Sequence, residues 1–322
     1  ENEELIAARK TGHPCVTRGQ FLGALMRNYP NSIAVSGGHG KSTTTAVISR
    51  ILLGADVDPT ILLGGSQDEI KGNVRMGESN YFLAEACEYM GNIRYYFPQI
   101  AIVLNIAEDH LDYYKNLNNI IDTFGKYMDN LSETAVAIVN ADDENCKPIL
   151  NRVKGDLILF GINNDNADYN ATDIHYDEEG HPVFNIHFPD GLVEEYHLSV
   201  LGDFNVYNML AAVAATDITG IPRDMIKNAV ESYETMHQRM EYMGKFDGAK
   251  VYVDYGHHPT QIDVTLKALK NITKEKLYCI CQPLAYNRLK SLLKQFSEVF
   301  YAADKVYVVD IYTSRESKDD TI

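Results

Sequence analysis

Positive charge is scarce in this chain: 29 lysines and arginines stand against 45 aspartates and glutamates, a formal net charge of −16. A surface of that sign repels a phosphate backbone or an anionic bilayer. Sequence-independent binding of nucleic acid or of anionic membranes is therefore excluded, and any phosphate site must be local. Cysteine is sparse too. Cys15, Cys87, Cys146, Cys279 and Cys281 are odd in number and show neither a CxxC pair nor zinc-ligand spacing, which reads as reduced thiols in a cytosol. No apolar run approaches the ~18 residues that span a bilayer, and no signal peptide is recognisable, so membrane insertion is not expected. The first residue is Glu1 rather than methionine, and residues 1–10 read as a helix already under way.

What is present is a composition of 45% hydrophobic and 23% charged residues over 322 positions, that of a globular protein long enough for two domains with separate cores. Short runs rich in Ile, Val and Leu recur at 33–35, 81–84, 100–104, 135–139 and 157–160. They do not alternate polar with apolar, so they suit strands buried on both faces of a parallel sheet. Helical segments such as 42–53 and 120–131 lie between several of them, the rhythm of an α/β fold. Over 165–200, Gly180, Pro182, Pro189 and Gly191 separate brief runs that predict antiparallel hairpins, a β insert or edge sheet. Helices are expected again at 205–217 and 222–233, the second opened by Pro222 as its first residue. After Gly244, strands at 250–254, 277–281 and 306–310 alternate with helices at 259–269 and 288–300, about half of a doubly wound domain. The predicted fold is α/β: a central P-loop domain with a mainly parallel sheet and a small antiparallel β insert, followed by a partial Rossmann-like domain.

The stretch AVSGGHGKSTTT at 34–45 carries the chemistry. The general nucleotide-loop pattern wants a glycine six residues before the lysine, and Val35 stands there, so the strict pattern fails. A strand, a glycine turn (Gly37, Gly38, His39, Gly40) and Lys41, Ser42 and Thr43 opening a helix remain. That order aims free backbone N–H groups and a helix N-terminus at one point, which suits an anion. Lys41 would add charge on the β/γ-phosphates and Ser42 a hydroxyl for Mg2+. A tight turn whose glycines serve only backbone geometry is the plainer alternative. Ligands in an open parallel sheet bind outside the carboxyl ends of the strands, and two further strands deliver Glu85 and His110 there. Either could be an ordinary strand-end or loop residue. With Lys41 and Ser42 they form a metal and phosphate constellation.

SGGHGKSTTT, EACEYMGN, LNIAEDHLDYY, LGDFNVYN and VYVDYGHHPT, in this order and at these spacings, resemble the Mur ligases, and within them the branch that joins L-alanine to UDP-N-acetylmuramate. The resemblance covers essentially the whole chain. It implies an ATP-dependent amide ligase, acting in the cytoplasm in peptidoglycan precursor synthesis, that activates the lactyl carboxylate of UDP-N-acetylmuramate as an acyl phosphate and transfers it to the amine of L-alanine. It further implies the tail of an N-terminal UDP-binding domain at 1–29, a central ATPase at 30–240 and the first part of a C-terminal Rossmann-like domain at 241–322. Such a chain is expected to bind Mg-ATP but to turn over poorly by itself.

The same resemblance assigns roles. ATP would be held by the loop residues 37–43; Mg2+ by Ser42 and Glu85, with His110 on a second Mg2+. Asn205 and Asn208 look like adenine contacts, Arg239 and Asp254 like groups brought to the γ-phosphate and ribose, and His257 and His258 lie near the reacting centre. Asn205 as a helix cap, and His257–His258–Pro259 as a helix-entry turn, are the structural alternatives. The chain departs from the family pattern at Ser42 for threonine, Phe204 for histidine, Cys87 for aspartate, and Leu284 and Ala285 where a histidine and a basic residue are usual. Two other readings stay open: a muropeptide-recycling or folylpolyglutamate-synthase-like ligase, and a non-catalytic nucleotide-binding module or switch. Nothing in the sequence sets the oligomeric state.

Overall fold

The computed structural model describes residues 2–312 and Asp319. Ten strands form one sheet: β1 (Asn31–Ser36), β2 (Thr60–Gln67), β3 (Gly72–Arg75), β4 (Tyr81–Glu85), β5 (Ile100–Val103), β6 (Val136–Asn140), β7 (Asp156–Ile162), β8 (Tyr169–Tyr176), β9 (Pro182–His187) and β10 (Val193–His197). Their order is β10-β9-β8-β7-β6-β5-β1-β4-β2-β3. From β8 to β2 neighbours are parallel, and β3, β9 and β10 are antiparallel to theirs. The hairpins expected over 165–200 therefore continue the edge of the main sheet.

Strand β1 explains the uninterrupted apolar runs. Ile33 and Val35 face one core, where Val47, Ile48, Ile51 and Leu52 of helix Lys41–Gly54 and Met209 and Val213 of helix Phe204–Asp217 pack. Ala34 faces the other, built on Leu22 and Met26 of helix Arg18–Met26 and Phe124 and Met128 of helix Leu117–Asp129. With helices on both faces the side chains along the middle of the central strands are buried, at roughly 1.5–3 kcal/mol for each large one. Helix Phe204–Asp217 is alanine-rich and buried along most of its length, because it lies between the sheet and its neighbouring helix.

Thr60–Gln67 and Gly72–Arg75 are strands absent from the sequence expectation. The run TILLGGSQ carries two glycines and a polar end, and it lies near the sheet edge, where burial is partial. Tyr81–Glu85 is thus the fourth strand in chain order, although it sits directly beside β1. The chain passes from β4 to β5 across β1, so the loops after β1, β4 and β5 meet at one end of the sheet, where ligands of open α/β sheets bind.

The last third differs from the expectation in its pairing. Strand β11 (Glu241–Phe246) and strand β12 (Ala249–Val253) form a separate antiparallel hairpin, while β13 (Tyr278–Cys281) and β14 (Lys305–Val308) form a parallel pair. The predicted helix over 288–300 is two short helices, Tyr286–Ser291 and Leu293–Glu298, broken at Leu292. Pro222 is the cap of helix Arg223–Glu231, not its first residue. No helix among the described residues is long and apolar enough to cross a membrane.

Candidate nucleotide and metal site

Gly37 and Gly40 take φ of +141° and +82°, which L side chains rarely adopt, and this lets the loop after β1 double back onto the helix Lys41–Gly54. Asn105, just past β5, holds that loop. Its carbonyl accepts from Gly38 N–H at 3.1 Å, its Oδ1 accepts from His39 N–H at 2.9 Å, and its Nδ2 donates to the His39 carbonyl at 3.1 Å. Gly40 caps the helix without a side chain, so the N–H groups of the first helical turn have no side-chain acceptor from the cap.

The Lys41 ammonium folds back over this turn. It donates to the Gly37 carbonyl and, at 3.3 Å, to the Gly38 carbonyl, and lies 3.1 Å from a Glu88 carboxylate oxygen. Burial works against its charge, but Glu88, with Cys87 and Glu85 beside it, raises its pKa above the ordinary lysine value. Ser42 Oγ donates to Glu85 Oε2 at 3.1 Å, and Glu85 Oε1 accepts from Gly64 N–H at 2.5 Å. Parallel pairing of Val35 with Glu85 sets that geometry.

His110 has φ of +54° and opens the short helix Leu111–Tyr114. Its Nε2 stands 3.9 Å from Glu88 and 3.7 Å from Asp109, with its ring against Tyr89. Glu88 is therefore the carboxylate common to Lys41 and His110, while Ser42 and Glu85 form the neighbouring oxygen pair. Among the described residues no three His, Cys, Asp or Glu side chains cluster as a metal site.

The last third supplies the opposite wall. Arg239 reaches to 3.5 Å from Ser42 Oγ, with its guanidinium 5.5 Å from the Tyr255 ring centre. Asp254, past the end of β12, accepts from the N–H groups of Met240 at 2.9 Å and Gly256 at 2.6 Å, joining the incoming linker to the strand end. His257 bonds the Tyr255 carbonyl through Nδ1 at 3.0 Å, and burial, with Arg288 near, lowers its pKa to about 4. His258 caps helix Pro259–Ile272 with Pro259 as the first helical residue, and its Nε2 contacts the Glu108 carbonyl at 2.8 Å. The helix-entry alternative is thus realised at His258. Gln261 Nε2 meets His39 Nδ1 at 3.1 Å, and Arg288 pairs with Asp109 at 3.3 Å. Burial, then the nearby His258 and Lys41, holds His39 down at about 3. Against its own burial, His110 and Arg288 hold Asp109 at about 2.

Between these walls lies a cavity of about 650 Å³, lined by His39, Gly40, Thr43, Asn205, Asn208 and Arg239 among others. A second, of about 1330 Å³, is lined by Asp109, His110, His257 and Arg288, and Asp254 borders both. Leu284 and Ala285 line the larger one and Phe204 the smaller. Asn205 is not a cap: it lies inside helix Phe204–Asp217, whose cap is Asp203. Its Nδ2 donates to the Leu201 carbonyl at 2.8 Å, and its Oδ1 accepts from Asn208 Nδ2 at 2.9 Å.

The structure thus places His39, Gly40, Thr43, Asn205, Asn208, Arg239 and His258 along the smaller cavity, His110 and His257 along the larger and Asp254 along both, while Lys41, Ser42 and Glu85 line neither and are joined to Arg239 through Ser42. Sequence reasoning noted Glu88 only as an acidic residue retained after Glu85, without a role, and missed Asn105. Glu88 stands three residues past Glu85, in the segment that follows β4, and Asn105 is the polar residue ending an otherwise apolar run; both were visible as polar residues shortly after buried strands.

The model described as Mur ligase middle domain matches residues 35–216, and that described as Mur ligase, glutamate ligase domain matches residues 238–321. The UDP-N-acetylmuramate–L-alanine ligase of Caldanaerobacter subterraneus subsp. tengcongensis is 40% identical over 98% of this chain and 68% of its own length. The ligase of the same name from Clostridium acetobutylicum is 42% identical over 98% of this chain and 69% of its own. Among solved structures, UDP-N-acetylmuramate–alanine ligase from Thermotoga maritima superposes with a TM-score of 0.80 at 26% identity, over 97% of this chain and 69% of that one. The chain belongs to the Mur ligase family.

Proposed function

We propose that this chain is a UDP-N-acetylmuramate–L-alanine ligase: it uses ATP to activate the lactyl carboxylate of UDP-N-acetylmuramate as an acyl phosphate and joins it to L-alanine, as a cytoplasmic step of peptidoglycan precursor synthesis. Two relatives of that name at 40% and 42% identity over nearly the whole chain support the substrate pair. The observation that carries the chemistry is the convergence of Lys41, the Ser42–Glu85 oxygen pair and Arg239 beside one glycine turn.

The residues fit a magnesium nucleotide. His39 Nε2 is buried without a hydrogen-bond partner beside the loop, and Ser42 and Glu85 set two hard oxygens together, a donor set suited to Mg2+. Bound there, the ion would neutralise charge between nucleotide phosphates. The chain's own groups do the rest. Loop N–H groups and Lys41 hold the β/γ-phosphates, and Arg239 adds a second cation from the opposite wall, so that two anions can approach in line. Asp254 serves the ribose side. His110, with Asp109, faces the larger cavity, where a second Mg2+ and the acyl group are assigned. His257, kept neutral by burial, and His258 border the acceptor side. The 1–29, 30–240 and 241–322 division is proposed with these roles.

The test is ADP release with UDP-N-acetylmuramate present and L-alanine, glycine, L-serine or a tripeptide as acceptor. Release that depends on L-alanine supports the reading; release with the tripeptide instead transfers it to the recycling branch.

A further inference from the structure

Asn205 and Asn208 border the smaller cavity, and their carboxamides are engaged with one another and with the chain around them. They form a relay that ends on the phosphate loop. The Leu201 carbonyl accepts from Asn205, Asn205 Oδ1 accepts from Asn208 Nδ2, and Asn208 Oδ1 accepts from Thr44 Oγ1 at 3.3 Å. Thr44 is fully buried in the first turn of helix Lys41–Gly54, and its N–H donates to the Gly40 carbonyl at 2.9 Å. Asn208 also lies against Gly40, so closely that a Cβ there would collide with Oδ1. Both asparagines are about 5% exposed, at 6% and 4%, so each bond in the relay is shielded from water.

Position follows from this. Gly40 holds φ of +82° immediately before Lys41, and its conformation decides where the first-turn N–H groups and the ammonium point. A loop of that kind has few contacts of its own and is prone to local opening. On one side Asn105 fastens Gly38 and His39. On the other, Asn208 fastens Gly40 and Thr44.

We infer that Asn208, oriented by Asn205, is a positioning residue that holds the phosphate loop in its anion-binding conformation, whatever further contact it makes with a bound base. The inference about loop conformation is independent of which substrates the enzyme joins; its consequence for affinity rests on the proposed nucleotide site.

The primary measurement is hydrogen exchange of the ligand-free chain. In Asn208→Ala, and in the nearly isosteric Thr44→Val, amides of residues 38–43 are expected to exchange about fivefold faster, the loss of one shielded hydrogen bond, with strands β5 and β6 unchanged. Calorimetry then compares Mg-ATP with magnesium tripolyphosphate, which has no base. Loss of affinity for both supports loop positioning. Unchanged loop exchange in Thr44→Val and Asn208→Ala, or loss for Mg-ATP alone with tripolyphosphate affinity intact, overturns it. Absence of alanine-dependent turnover would bear on the proposed reaction and not on the exchange result.

Discussion

The Lys41 ammonium sits 3.1 Å from the Glu88 carboxylate, and both are largely withdrawn from water. The lysine charge is balanced inside the protein, in the crevice where Ser42 meets Glu85. Glu88→Gln would remove the carboxylate charge facing the ammonium and leave it neutral acceptors, the Gly37 and Gly38 carbonyls and the new carboxamide oxygen, with Glu85 as the remaining nearby carboxylate. The expected cost is about 2–3 kcal/mol of stability, read from chemical denaturation midpoints, because a buried charge loses its partner. Adding Lys41→Met to the same chain should recover part of it. Equal midpoints for the wild type and Glu88→Gln would show that the pair carries no energetic weight.

Gly40→Ala tests the loop directly. The new side chain must take a strained left-handed φ and displace Asn208. A fall in Mg-ATP affinity of at least about tenfold is expected by calorimetry, since more than ~1.4 kcal/mol of strain falls on the binding conformation. Unaltered affinity would mean that the nucleotide does not use this turn.

Arg239→Ala should leave folding nearly intact, because the guanidinium's contacts are a long 3.5 Å approach to Ser42 and a face-on approach to Tyr255. ADP release should fall about 10²-fold or more if the group stabilises transferring charge. Steady-state kinetics decide it: an unchanged kcat removes Arg239 from the reaction.

Acid sensitivity follows from the histidines. His39 and His257 have folded pKa values lowered to about 3 and about 4, and His258 is lowered as well, against 6.5 in the unfolded chain. Below pH 6.5 the unfolded chain takes up protons that the folded chain refuses, so stability falls with pH until the folded values are reached. The contribution of His39 alone between pH 7.5 and 5 is about 2 kcal/mol. Denaturation at those two pH values should therefore show a smaller difference in His39→Gln than in the wild type. Identical differences would mean that His39 is not held neutral.

The parallel core was legible because β1, β4, β5 and β6 are buried on both faces, which leaves their side chains no reason to be polar. β2 was not, since near an edge its glycines and polar end carry no such constraint. The break at Leu292 and the hairpin of β11 with β12 depend on which surfaces meet, and helical periodicity does not record that.

For the site, sequence alone determined the ingredients: a glycine turn that only glycines can bend, a lysine and hydroxyl at a helix start, and carboxylates at the ends of buried strands. Those follow from local backbone geometry and hydration. Tertiary structure decided the partners. Asn208 faces Gly40 from 168 positions away along the chain, by numbering alone, and Gln261 reaches His39 from the last third. Such pairings are set by how helices and loops pack around the sheet, a property of the whole fold that no short stretch of residues encodes.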